Sequence, residues 1–176
     1  MLSGFAPTGS AGQNSRHPER MDRPHAMTAA TPIHYRIVPA SPHAHLFKVT
    51  MTVPAPDPAG QQLALPAWIP GSYMIREFAR NIVRIAARSG RSPVALDKTD
   101  KHTWRAAPCR GALTVECEVY AWDLSVRGAH LDATHGFFNG TSVFLRAVGQ
   151  EKTPCTVEIL SPAGSRYRNW RVATSL

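Results

Sequence analysis

Eight histidines and three cysteines are the side chains of this 176-residue sequence best suited to holding a metal or attacking an electrophile. Their spacing argues against both. His43 and His45 flank Ala44, which puts both on one face of an extended strand but brings no third ligand nearby. His130 and His135 are five residues apart, with no glutamate in the position a zinc-binding His-Glu-x-x-His helix requires, and no Cys-x-x-Cys pair occurs. A Gly-rich phosphate loop, a nucleophile elbow and a Cys-His motif are likewise missing. The sequence therefore predicts neither a catalytic residue nor a metal site within the chain. Cys109, Cys117 and Cys155 are odd in number and widely spaced, which speaks against a disulfide framework and fits a reducing compartment. Cys117 lies in a strand pattern and reads as a small core residue.

The polar cluster that stands out runs from Trp122 to Leu145. About twenty residues of loop between two strong strands is long for a compact domain, and such loops usually serve a function or an interface. Asp123, Arg127 and Asp132 have the charges for a network that stiffens it. Phe137 and Phe138 are expected to dock it on the core, and Asn139-Gly140 is a strong tight-turn dipeptide. Asn139-Gly140-Thr141 also matches a glycosylation sequon, a chance match when no secretion signal accompanies it.

A second informative run, Leu65 to Ile82, reads Leu-Pro-Ala-Trp-Ile-Pro-Gly-Ser-Tyr-Met-Ile-Arg-Glu-Phe-Ala-Arg-Asn-Ile. Pro70-Gly71 suits the centre of a type II turn: proline presets φ at the first central position and glycine supplies positive φ at the second. Beyond it, Ile75, Phe78, Ala79 and Ile82 recur at helical spacing, which predicts about two helical turns capped by Ser72. On this reading Arg76, Glu77 and Arg80 lie off the apolar stripe, while Trp68, Tyr73 and Phe78 plug the end of a β core. Trp68 and Phe78 are expected to be largely buried.

The elements that must position these two runs are strands. Phe47, Val49, Met51 and Val53 alternate with Lys48, Thr50 and Thr52. Leu113, Val115, Cys117, Val119 and Ala121 alternate with Thr114, Glu116, Glu118 and Tyr120. Val83, Ile85 and Ala87 alternate with Arg84, Ala86 and Arg88, which makes the arginine series the wet face of a strand. His34 to Val38, Gln62 to Leu65, a hairpin of Pro93 to Leu96 with His102 to Ala106, Thr141 to Arg146, Cys155 to Leu160 and Trp170 to Ala173 complete eight or nine strands. The expected fold is all-β: an antiparallel β-sandwich or saddle-shaped pair of sheets with one short helical turn. Residues 1–30, rich in Gly, Ser, Pro, Ala and Arg, read as a disordered tail, and residues 31–176 as one domain.

Net charge is +8, from 20 Lys and Arg against 12 Asp and Glu, but the arginines are scattered and no basic run carries interleaved aromatics. A nucleic-acid partner is not expected. Nor is a membrane partner, since no apolar run approaches the ~18 residues that span a bilayer. Without a signal segment, cytoplasmic residence follows.

Leu65 to Ile82, Tyr120 to Arg127 (Tyr-Ala-Trp-Asp-Leu-Ser-Val-Arg) and Gly136 to Leu145 (Gly-Phe-Phe-Asn-Gly-Thr-Ser-Val-Phe-Leu) together resemble the amino-terminal domain of the glycyl aminopeptidase family of zinc metallopeptidases, metallopeptidase family 61. The ending, Asn169 to Leu176, looks like that domain's last strand, so the resemblance covers residues 33 to 176. It implies an all-β domain beside a thermolysin-like catalytic domain and a PDZ domain, in enzymes that remove amino-terminal glycine or alanine. The zinc and its His-Glu-x-x-His helix would belong to the catalytic domain. No such motif occurs in these 176 residues, so no family catalytic residue carries over and the chain reads as a non-catalytic piece, inactive alone. Its implied partners are the catalytic domain and, through it, a peptide substrate. Trp68, Tyr73, Arg76, Asp123, Arg127, Asn139 and Thr141 are the candidate interdomain or cleft-facing residues. The alternative is a free-standing peptide- or carbohydrate-binding β-sandwich that uses Trp68, Tyr73, Trp104 or Trp122 as aromatic platforms.

Overall fold

The structure, a computed structural model, describes residues 31–174. Its centre is a pair of long strands, β2 (Leu46–Val53) and β8 (Leu113–Tyr120), whose alternation sets the register. Phe47, Val49, Met51 and Val53 stand opposite Val119, Cys117, Val115 and Leu113, and all eight are buried. A slip of one residue would turn this whole set into water, which is why the pairing is well specified. On the wet face Lys48 Nζ lies 2.8 Å from Glu116, and Arg88 of β4 (Ile82–Ser89) pairs with the same carboxylate. Around this centre β1 (Ile33–Ser41), β5 (Ser92–Val94) and β12 (Cys155–Ile159) complete a six-stranded sheet in the order β12-β1-β2-β8-β4-β5.

Two different covers close the inner face of that sheet. One is a four-stranded sheet, β11-β3-β7-β6, built from β3 (Gln62–Ala64), β6 (Leu96–Lys98), β7 (Thr103–Ala106) and β11 (Arg146–Ala147). It packs Leu63, Trp104 and Ala106 against Ile33, Tyr35, Met51 and Val115. Each Leu or Val sealed here contributes about 1.5–3 kcal/mol of hydrophobic burial. The other cover is the hairpin of β9 (Ala129–Leu131) and β10 (Gly136–Phe138) with a four-residue helix, α1 (Gly140–Val143). Leu131 and Val143 close over Ile37, Phe47, Val49 and Val119. Burial pushes the Cys117 thiol up to about 12, so it acts as an apolar core group, and all three cysteines are free thiols. The Tyr35 hydroxyl, raised by burial, donates to Leu145 O at 2.7 Å.

The all-β expectation holds, with five local corrections. β12 runs parallel to β1, so the sheet is not antiparallel throughout; alternation sets a strand's face and carries no information on its direction. The segment around Pro93 divides, with β5 returning on β4 while β6 pairs with β7, so the chain crosses between sheets near Ala95. Thr141 to Arg146 is not a strand, because Asn139 caps α1 there and β11 follows. A bulge at Val83 in β4 turns that side chain into solvent, 58% exposed, and leaves Ile82 to face the core. Trp170 to Ala173 is irregular and follows a 3-10 turn over Ser165–Tyr167. Among the described residues no helix is long and apolar enough to cross a membrane. The tail expected over residues 1–30 lies outside the described residues.

Candidate functional site

The corner after β3 is held from within. Gly71 has φ +78° and Ser72 N donates to Ile69 O at 3.2 Å, which makes Pro70-Gly71 the type II turn that its residue types demand. Arg76 N donates to Ala67 O at 2.8 Å and closes a loop around that turn. Ser72, buried, is its hub: its carbonyl accepts from Trp68 Nε1, and its hydroxyl oxygen accepts from Arg76 Nε at 3.3 Å. With these polar groups satisfied inside the loop, its tip turns outward. Tyr73 is fully exposed, and Met74, Ile75 and Trp68 are 64%, 67% and 49% exposed.

Three expectations about this corner are therefore corrected. No helix starts at Ser72; the helical piece is one 3-10 turn, Phe78–Asn81, entered through Glu77 at φ 46°. Ile75 accordingly points to solvent instead of lining an apolar stripe. Of the three aromatics only Phe78 plugs the core, 3% exposed, whereas Trp68 is half exposed and bonded to its own loop and Tyr73 stands in solvent.

The long loop after β8 folds on local carboxylate and amide caps. Asp123 Oδ1 accepts from Ser125 N at 2.8 Å, and Gly128 N donates to Ser125 O at 2.8 Å. A Cβ at Gly128 would lie 2.6 Å from Asp123 Oδ2, so a larger residue there would push the Asp123 side chain away from its bond to Ser125 N. Asn139 Oδ1 accepts from Thr141 N and from the Thr141 hydroxyl, and so caps α1. The expected network of Asp123, Arg127 and Asp132 does not form, because each group is claimed by a closer backbone partner. Arg127 reaches out of its loop and donates from Nη2 to Gly71 O at 3.1 Å. That bond sets the loop bearing Leu124 (71% exposed) and Val126 (77%) against the turn that precedes Tyr73, Met74 and Ile75.

At the far end of the same loop Asp132 folds the hairpin turn. Its Oδ1 accepts from Thr134 N, the Thr134 hydroxyl and His135 N at 2.7, 2.7 and 2.9 Å, while Oδ2 meets His130 Nε2 at 3.3 Å. These bonds, that of the Thr134 hydroxyl first, hold the carboxyl far below the usual carboxylate range. The His130 ring is buried and stacks between Trp122 (4.8 Å), His135 (5.1 Å) and Phe137 (5.9 Å). His45 lies on the other side of Trp122, 3.9 Å between centroids, and donates from Nδ1 to Leu131 O.

Two exposed apolar loops joined by one arginine, on an all-β frame, are what a family assignment has to account for. The model of the Peptidase M61 N-terminal domain matches residues 34–176. The chain belongs to peptidase family M61. Among solved structures it is similar to an aminopeptidase N family protein from Idiomarina loihiensis, with 42% sequence identity, a TM-score of 0.72 and 74% of this chain covered. The chain spans 22% of the length of that protein. No curated protein matches it.

In this M61 domain the seven residues singled out from the sequence divide by what they touch. Trp68, Tyr73, Arg76 and Arg127 meet at the joined loops, Arg76 and Arg127 as the bonds that shape them and the two aromatics on their surface. Asp123, Asn139 and Thr141 spend their polar atoms on turns and a cap within their own loop. Trp104 is buried and forms no platform. Met74, Leu124 and Val126 went unnoticed in the sequence and Ile75 was read as part of a buried stripe, though Leu124-x-Val126 inside a polar loop is the kind of unexplained apolar pair that marks a surface.

Proposed function

We propose that this chain is the non-catalytic amino-terminal β domain of a glycyl aminopeptidase-like zinc metallopeptidase, and that it packs on the catalytic domain and shapes its cleft. The observation that carries this reading is the exposure of Tyr73, Met74, Ile75, Leu124 and Val126 on two loops that the Arg127 side chain ties together through Gly71 O. Apolar side chains on pinned loops bind with little further loss of conformational freedom, which is what a permanent domain contact needs. Membership of a peptidase family, and a structural relative several times longer than this chain, support a catalytic partner.

The family's catalytic zinc motif is not among these residues. The sequence lacks His-Glu-x-x-His, and α1, four residues long, cannot present two ligands one turn apart. Chemistry at the scissile bond belongs to the partner, and the peptide substrate is met through it. Arg36, Lys48 and Arg88 are engaged by Glu158 and Glu116, which spends part of the basic surface on the domain itself and argues against nucleic acid. A cytoplasmic location is part of the same reading.

The test is binding in trans. The purified chain, titrated by calorimetry into an M61 peptidase that lacks its own amino-terminal domain, is expected to bind. The double substitution Tyr73→Ser with Ile75→Ser should weaken that binding at least about tenfold, in the range of hot-spot losses, while leaving the melting temperature unchanged. The isolated chain should not hydrolyse glycine or alanine amides with added zinc. Zinc-dependent turnover by the chain alone, or full affinity in the double variant, would overturn the reading.

A further inference from the structure

The hairpin of β9 and β10 brings together three groups whose sequence spacing gave no reason to join them. His130 sits on β9, Asp132 opens the turn and His135 closes it, and one ligand atom from each lies within 4.8 Å of the others. We propose that His130, Asp132 and His135 form a two-histidine, one-carboxylate site for a divalent transition metal, with zinc as the reference ion.

The distances match the ion. Ligands bound at 2.0–2.1 Å in a tetrahedron stand about 3.3 Å from one another. His130 Nε2 is 3.3 Å from Asp132 Oδ2, and His135 Nδ1 is 3.4 Å from Asp132 Oδ1. With Asp132 bound through Oδ2, the edge to His130 already has the required length, and His135, whose Nδ1 now meets Asp132 Oδ1 and the Thr134 hydroxyl (3.0 Å), completes the set by turning its exposed side chain toward that oxygen. The donor set has a chemical preference too. Two imidazole nitrogens with one carboxylate oxygen suit zinc, cobalt, nickel or copper, whereas magnesium and calcium favour all-oxygen sites.

The surroundings hold the ligands in place. Oδ1 of Asp132 takes three hydrogen bonds from the turn, which fixes the carboxylate plane, while Oδ2 meets only His130. The His130 ring is clamped by Trp122 and Phe137, and its Nδ1 is buried without a hydrogen-bond partner among the described residues. Its one polar contact is thus the one made inside the cluster, so stacking, and not a competing bond, aims this ring at Asp132. His135, on the open side, leaves a path for the ion and room for water as a fourth ligand.

The experiment uses the whole chain, free of any affinity tag and stripped by chelator, titrated with Zn²⁺ in competition with a chromophoric chelator. One equivalent is expected to bind. His135→Ala should weaken it at least about tenfold, and Asp132→Asn likewise, whereas His34→Ala, at an exposed histidine-carboxylate pair elsewhere on the domain, should leave it unchanged. Imidazole proton signals of His130 and His135 should move on addition of the metal while that of His102 stays. His135→Ala removes an exposed side chain and keeps the fold, so its result decides the matter even if Asp132→Asn loosens the turn. No saturable binding, full affinity in His135→Ala, or zinc shifts confined to other histidines would overturn the proposal.

Discussion

The pairing of β2 with β8 and the corner around Ser72 solve opposite problems with the same materials. In the sheet, apolar side chains are hidden and the polar groups opposite them, Lys48, Arg88 and Glu116, are matched in water. In the corner, polar groups are hidden and satisfied at Ser72, and Tyr73, Met74 and Ile75 are left in water. The sheet is held by burial and the corner by hydrogen bonds, so the corner alone can show an apolar surface without collapsing onto it. The sheet serves stability, and the corner is the surface that the proposed domain contact would use.

Substitutions that break one part should therefore leave the other intact. Leu113→Ala, at a fully buried position of β8, should cost the most, about 2–5 kcal/mol in urea unfolding, because it leaves a cavity between the sheets. A loss under about 1 kcal/mol would mean that the core repacks there. Gly71→Val should cost less, about 1–2 kcal/mol, since a branched residue is forced into positive φ with no neighbour to clash against. Binding in trans should suffer more than stability in that variant; equal loss of both would show that the corner is only a plug. Glu116→Gln is the smallest, within the 0–1 kcal/mol usual for exposed pairs. The hydrogen bond from Lys48 holds the Glu116 carboxyl below its usual range. A depressed carboxyl stabilises the fold above its unfolded value of about 4.3 and loses that contribution as acid protonates it. The difference between wild type and Glu116→Gln in acid-limb unfolding should thus be present at pH 6 and shrink steadily as the pH falls below about 4.3. A difference that stays constant through the acid limb would assign the effect to packing.

Legibility followed the same divide. β2 and β8 were plain because a half-buried strand writes its two faces into alternate residues, and Pro70-Gly71 was plain because its turn leaves those two residue types little choice. The helical spacing of Ile75, Phe78, Ala79 and Ile82 misled, since the Ser72 hydroxyl oxygen accepts from Arg76 instead of from the first amides of a helix, and Glu77 takes a left-handed conformation that interrupts the period. The bulge at Val83 and the parallel direction of β12 depend on partners remote in the chain. The gathering of His130, Asp132 and His135 depends on an Asp132 turn, and ligand spacings drawn from helices do not describe a hairpin.

The docking of β12 beside β1 has a consequence for how the protein is made. Ile33 pairs with Cys155 and Ile37 with Ile159, contacts that span about 120 residues, so closing them costs on the order of 4 kcal/mol of chain entropy with no local reward. The β1–β2 hairpin, by contrast, closes over a handful of residues. On the ribosome the hairpin has every reason to form early, while the outer edge of β1 must stay bare until residue 159 has left the exit tunnel. A newborn chain therefore carries one bare strand edge while about 120 further residues are added, and that edge is a place where an arrested chain would aggregate.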